Sequence, residues 1–150
     1  MQLQIYAITF KLLHLLMEIA KIDYVGDLTT ESVHLKSGSK INTDAPVDNN
    51  GKGLAFSPTD LLCASLGSCM LTVMGIVADN NNLNIKGTRI TLSKIMASEP
   101  RRVGEIILDF TMPENQFSEK EKQLLKNAAL NCPVAKSLKA EIKQTVKFNF

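Results

Sequence analysis

The residues best suited to chemistry in this chain are its three cysteines, Cys63, Cys69 and Cys132. An odd number of cysteines argues against a disulfide-stapled secreted scaffold, and none of them stands in a Cys-x-x-Cys pair. Because His14 and His34 are the only histidines, no zinc-ligand spacing is present, and neither a metal nor another cofactor is predicted. The residue types favour thiol chemistry in the reducing cytoplasm.

Cys132 has the sequence context of an activated thiol. The tripeptide Asn131-Cys132-Pro133 is typical of a helix start, with Asn131 as the cap and Pro133 in the first turn. Unpaired backbone N–H groups and the helix dipole at such a position favour the thiolate. The alternative interpretation is a small buried residue that happens to precede Pro133.

Cys69 lies in the middle of the strongest helix signal. Ser57 can cap this helix, Pro58 suits its first position, and the apolar run DLLCASLGSCMLTVMGIVA follows and stops at Asp79. Gly67 weakens a helix interior by about 1 kcal/mol, which indicates the close approach of a partner helix or a substrate. The alternative interpretation of Cys69 is a free cysteine that packs as a small hydrophobic residue. The helix has almost no polar face and must be covered on nearly all sides.

Two further residues of this helix precede Cys69. Cys63 lies six residues earlier and some 240° around the helix, so it is interpreted as a packing residue. Asp60 lies in the first turn, where a carboxylate is favoured by the helix dipole. Asp60 is therefore interpreted as a helix-capping carboxylate and is also a candidate catalytic residue.

The remaining elements predict an α+β fold. Short strands are expected at 19–25, 30–36 and 40–43, followed by a loop at 44–56. After the apolar helix come two strands within 88–97 and 105–112, joined by a hairpin at 101–104. A helix opened by a Ser118 capping box, a helical turn and a final alternating strand then follow. This order predicts a mostly antiparallel sheet with its helices on one side.

The size and charge of the chain exclude several classes of protein. With 150 residues it fits one domain, and its net charge of +2 comes without clustered lysines. We therefore expect neither a nucleic-acid partner nor a membrane surface. Residues 1–16 are interpreted as a possible N-terminal extension to a single domain spanning 17–150, with Met17 as the functional start.

Two segments, SPTDLLCASLGSCM at 57–70 and NCPVAKSL at 131–138, resemble the signature segments of the OsmC/Ohr family. The names stand for osmotically inducible protein C and organic hydroperoxide resistance. The likeness extends through YVGDLTTESVHLKSG and the TDAPVDNNGKG loop to the final strand. The resemblance implies an OsmC-like fold in which two subunits intertwine as a homodimer around their central helices.

The resemblance also implies a peroxiredoxin-like antioxidant activity in the oxidative stress response. Cys69 would be the peroxidatic thiol of a hydroperoxide reductase and Cys132 the resolving thiol, with a dithiol reductant reopening their disulfide. The substrates would be organic hydroperoxides or hydrogen peroxide. A non-enzymatic redox sensor, a binding protein for a small apolar ligand, and purely structural cysteines are the alternatives.

The chain departs from the peroxidase members of this family at two positions. Those members activate the first thiolate with an Arg of the N-terminal strands and a Glu after the Pro of the first segment. Here Thr29 and Thr59 stand at these places, and no Arg precedes Arg89. Lysines at 36, 40 and 52 are possible substitutes, although Lys lacks the planar fork of Arg.

Overall fold

A computed structural model describes residues 18–150, so the predicted extension and Met17 lie outside the described residues. The chain divides into two compact units, one that ends at Pro58 and one from Thr59 to Phe150. Each unit is described by itself.

The N-terminal unit is a three-stranded antiparallel sheet in the order β1-β2-β3. Its strands are β1 (Ala20–Gly26), β2 (Thr29–His34) and β3 (Lys40–Asp44). The turn between β1 and β2 is formed by Asp27 and Leu28, both with positive φ. Two such residues give the turn the twist that a tight hairpin needs. The loop after β3 contains a short 3-10 helix, Val47–Asn49, and returns to pair Phe56 with Thr43.

One face of this sheet carries exposed apolar side chains. Ile22 and Ile41 flank Ser32 in one cross-strand row, and Tyr24 lies two residues along β1. Ile22 and Tyr24 are each about two-thirds exposed. Alternation along the strands therefore creates an apolar face that residues 18–150 leave largely uncovered.

The C-terminal unit packs three helices on a mixed three-stranded sheet. The helices are α1 (Pro58–Asn80), α2 (Glu119–Leu130) and α3 (Pro133–Ser137). The strands are β4 (Arg89–Ser98), β5 (Arg101–Thr111) and β6 (Lys143–Asn149), in the order β4-β5-β6. The β4–β5 pair is antiparallel, whereas β6 runs parallel to β5. The α+β prediction is confirmed, but the strands form two sheets rather than one.

Helix α1 shows how little of its apolar surface one sheet can cover. Its buried residues form a single stripe: Cys63, Leu66, Gly67, Met70, Met74 and Ala78. On other sides of the helix Ile76 remains 56% exposed and Leu62 38% exposed. By length and composition alone this helix could cross a membrane, and a third of its most apolar stretch is buried. The expected cover on nearly all sides is therefore not supplied by the described part of the chain.

Two local predictions have opposite outcomes. The Ser118 capping box is confirmed: its hydroxyl accepts from Glu121 N, and the Glu121 carboxylate accepts from Ser118 N at 2.7 Å. The predicted position of the hairpin connection, 101–104, is wrong. Arg101 already pairs with Ser98, and the turn is formed by Glu99 and Pro100. The charges of this segment gave no sign that the strand continues through it.

Candidate active site

Cys69 lies near the middle of α1, partly buried and packed against the core of the C-terminal unit. Gly67, two residues earlier, faces the sheet rather than a helix or a substrate. A Cβ at Gly67 would meet Ile90, Leu92 and Leu108 at 3.5–3.6 Å, which is ordinary van der Waals contact. The glycine therefore lies where α1 packs on β4 and β5, and it leaves room for a methyl group.

Cys132 is the N-cap residue of α3 and is fully buried. Its Sγ accepts a hydrogen bond from the Ala135 N–H at 3.4 Å, and Pro133 is at the start of the helix. Asn131, predicted as the cap, instead ends α2, and its side-chain amide donates to Asn127 O at 2.8 Å. The helix start therefore lies one residue later than predicted, with the thiol itself in the capping position.

The fold brings the Cys69 and Cys132 side chains together, and all three cysteines are free thiols. Burial raises the pKa of Cys132, the Ala135 N–H lowers it, and a hydrogen bond with Cys69 and the charge of Cys69 raise it. The net pKa shift is upward. The expectation from the helix dipole is therefore wrong in direction, because desolvation outweighs the backbone hydrogen bonds.

Asp60 lies in a different environment from the thiol pair. Its Oδ1 accepts from Lys94 Nζ at 2.6 Å, and the same ammonium donates to Thr59 Oγ1 at 2.8 Å. Asp60 precedes Cys69 by nine residues, or about 13 Å along a helix axis. The thiol that this ion pair influences is Cys63: burial raises the pKa of Cys63, Lys94 lowers it and Asp60 raises it. Cys63 itself is fully buried in the core.

Lys94 is a residue that the sequence reasoning missed. It lies in β4 opposite Ile106, on the face that carries Leu92 and Ile90 into the core. Its side chain is only 20% exposed. A charged residue at an inward position of an alternating strand is the signal that could have identified it, because a buried ammonium needs a partner.

The lysines considered as substitutes for the family Arg lie in the N-terminal unit. Lys40 pairs with Glu31 at 2.9 Å and Lys52 with Asp27 at 2.8 Å, both on exposed surface. Thr29 begins β2 opposite Asp44. Among residues 18–150, no group of three or more His, Cys, Asp and Glu side chains is arranged to hold a metal ion.

The arrangement defines a class of protein. A partly buried thiol on a long helix interacts with a fully buried thiol at the start of a short helix. Neighbouring thiols are the groups that thiol–disulfide chemistry requires. Exposure differs between them, which gives the pair an outer and an inner sulfur. An α+β protein with such a pair is a dithiol protein.

Comparison with known proteins identifies the family of this chain. The family model described as OsmC-like protein matches residues 51–147. A crystal structure from Psychrobacter arcticus 273-4, provisionally named an osmotic stress induced and detoxification response protein, is 48% identical with a TM-score of 0.85. The alignment covers 89% of this chain and 96% of that one. The chain therefore belongs to the OsmC-like family.

More distant structures share the fold. An organic hydroperoxide resistance protein OsmC from Legionella pneumophila has a TM-score of 0.72 at 16% identity, covering 91% of this chain and 98% of its own. An organic hydroperoxide resistance protein from Elizabethkingia anophelis has a TM-score of 0.64 at 14% identity, covering 89% and 97%. No curated protein matches the chain.

Proposed function

We propose that this protein is a thiol-dependent peroxide reductase in which Cys69 is the peroxidatic thiol and Cys132 the resolving thiol. The observation that carries the proposal is the contact between a partly buried and a fully buried thiol. Membership of a family with organic hydroperoxide resistance proteins supports it. The substrates are organic hydroperoxides or hydrogen peroxide.

The proposed catalytic cycle has three steps. The Cys69 thiolate attacks one peroxide oxygen, the O–O bond breaks, and the leaving alkoxide or hydroxide takes up a proton, so Cys69 becomes a sulfenic acid. The Cys132 thiolate then attacks the Cys69 sulfur and expels hydroxide, which is protonated to water as the disulfide forms. An external dithiol reduces this disulfide by two thiol–disulfide exchanges and is itself oxidised.

The difference in burial between the two thiols supports these roles. Cys69 has the partly open side chain that a peroxide must reach, whereas Cys132 has no exposed surface. The raised pKa of Cys132 keeps that sulfur protonated while the first step proceeds. The role of Asp60 in this proposal is structural, because its ion pair with Lys94 connects the first turn of α1 to β4.

We further propose that the protein acts as a cytoplasmic homodimer. Two apolar surfaces support the homodimer: Leu62 and Ile76 of α1 are exposed, and so is the sheet face that carries Ile22, Tyr24 and Ile41. A second copy would bury these surfaces, which are of the kind that mark interfaces. Sedimentation equilibrium without detergent is expected to give the mass of two chains; a monomer, or a protein extracted only by detergent, would contradict this part.

The activity is tested by peroxide consumption with matched cysteine variants. With cumene hydroperoxide and dithiothreitol we expect turnover in the unmodified protein and in Cys63→Ser, and none in Cys69→Ser. Cys132→Ser is expected to leave Cys69 as a dimedone-reactive sulfenic acid. In the unmodified protein, mass spectrometry is expected to find a Cys69–Cys132 disulfide after one equivalent of peroxide. Turnover that survives Cys69→Ser would refute the assignment.

A redox sensor is the second candidate, and the raised pKa of Cys132 favours it because a slowly resolving thiol suits sensing better than fast turnover. The same experiment separates the two functions. A Cys69–Cys132 disulfide that forms without steady peroxide consumption supports the sensor, whereas thiols inert to peroxide would remove both.

A further inference from the structure

Helix α3 is a single turn, and one of its carbonyl groups needs a partner from elsewhere. The Leu138 N–H donates to Val134 O at 3.2 Å and closes the last helical bond, after which Leu138 is extended. The last carbonyls of any helix lack intrahelical donors. Ala135 is buried, so its carbonyl oxygen must find a donor within the protein.

Gln144 supplies that donor from the sheet. Its Nε2 donates to Ala135 O at 3.3 Å. Gln144 lies in β6 opposite Ile106, on the face where Val146 and Phe148 pack against the core. A polar residue in this apolar row therefore has a specific partner.

Ala135 connects this bond to the thiol. Its carbonyl accepts from Gln144, and its N–H donates to Cys132 Sγ at 3.4 Å. We propose that Gln144 is a positioning residue for Cys132: by holding Ala135 it keeps the Ala135 N–H directed at Cys132 Sγ and the sulfur turned toward Cys69. The consequence of this positioning for catalysis rests on the proposed peroxide reductase activity.

The effect expected from Gln144 falls on the second step alone. The Ala135 N–H is the largest influence that lowers the pKa of Cys132. Removing the Gln144 donor loosens this hydrogen bond, so the thiolate fraction of Cys132 falls. Each unit of pKa is a tenfold change in that fraction at neutral pH. Attack of a peroxide on Cys69 does not use this bond.

The test compares Gln144→Leu with Gln123→Leu, which removes an exposed glutamine of α2 that donates to Asn127. After one equivalent of cumene hydroperoxide, Gln144→Leu is expected to form the Cys69–Cys132 disulfide about tenfold more slowly. Its rate of Cys69 sulfenic acid formation, measured in the Cys132→Ser background, is expected to be unchanged. Gln123→Leu should match the unmodified protein in both rates.

A second readout separates this inference from the proposed function. In the Cys63→Ser, Cys69→Ser background Cys132 is the remaining thiol, and its pKa is measured from the Cβ chemical shift. We expect Gln144→Leu to raise this pKa whether or not the protein reduces peroxides. If Gln144→Leu does not fold, Gln144→Glu keeps the shape, cannot donate when ionised, and carries the same expectation. A folded variant with an unchanged Cys132 pKa and an unchanged rate of disulfide formation would overturn the inference.

Discussion

Replacing Lys94 by Met tests whether its ion pair with Asp60 fastens the start of α1 to the sheet. The Lys94 Nζ donates to the Asp60 carboxylate at 2.6 Å and to the Thr59 hydroxyl at 2.8 Å. Their side chains are 20% exposed for Lys94 and 38% exposed for Asp60. This pair therefore lies between an exposed ion pair, which contributes little, and a fully buried one.

The expected loss follows from these contacts. Removing a charged donor from a partly buried acceptor destabilises a protein by roughly 1–3 kcal/mol, and the exposure of Asp60 places the value at about 1–2 kcal/mol. The coupling free energy between Lys94→Met and Asp60→Asn should be about 1 kcal/mol. The exposed Lys40–Glu31 pair, at 2.9 Å, is the matched control and should couple by no more than about 0.5 kcal/mol.

Urea unfolding followed by circular dichroism measures these free energies, since the chain has no Trp to report by fluorescence. A second signal is the pKa of Cys63, which should rise in Lys94→Met and fall in Asp60→Asn, because the lysine lowers it and the carboxylate raises it. Equal coupling in the two ion pairs, together with an unmoved Cys63 pKa, would refute this account of the α1 anchor.

Three further predictions concern stability. The pKa values of Cys63 and Cys132 are raised by burial, so the folded protein binds these protons more tightly than the unfolded chain. The contribution of these two thiols to the free energy of unfolding should therefore be complete below the ordinary cysteine pKa. Urea titrations at a series of pH values should show this contribution falling as the pH rises above about 8.5. Gly67→Ala should stabilise the protein by up to about 1 kcal/mol by thermal melting, because the added methyl meets ordinary contacts; a loss would mean that α1 lies closer to the sheet. Ser118→Ala should destabilise it by about 1 kcal/mol through the lost cap, while Ser137→Ala, outside that cap, serves as the control.

Much of the fold could be predicted because local patterns determine it. The start of α1 at Pro58 and the Ser118 capping box depend on residues adjacent in sequence, and both occur as expected. The direction of β6 could not be predicted. Alternation of Val146 and Phe148 shows which face is apolar, but it contains no information on which strand lies beside it or in which direction.

The candidate site also combines features that local sequence determines with features that only tertiary packing determines. Contact between Cys69 and Cys132 depends on tertiary packing, and the sequence implied it only through the family resemblance. The pKa direction of Cys132 was missed because burial has no local sequence signal, whereas the helix start does. Lys94 and Gln144 share a signal that could have been used: each is polar at an inward position of an otherwise apolar strand face.

A resolving thiol with a raised pKa is compatible with the proposed chemistry because its partner is already in contact. A thiol with an ordinary pKa of about 8.5 is only a few per cent thiolate at neutral pH, and Cys132 has less. Well-oriented groups, however, react with effective molarities of about 10⁵ M or more. Loss of the Cys132 proton, rather than encounter of the two sulfurs, should then limit disulfide formation. Its rate should rise about tenfold per pH unit up to the raised pKa and should not depend on protein concentration.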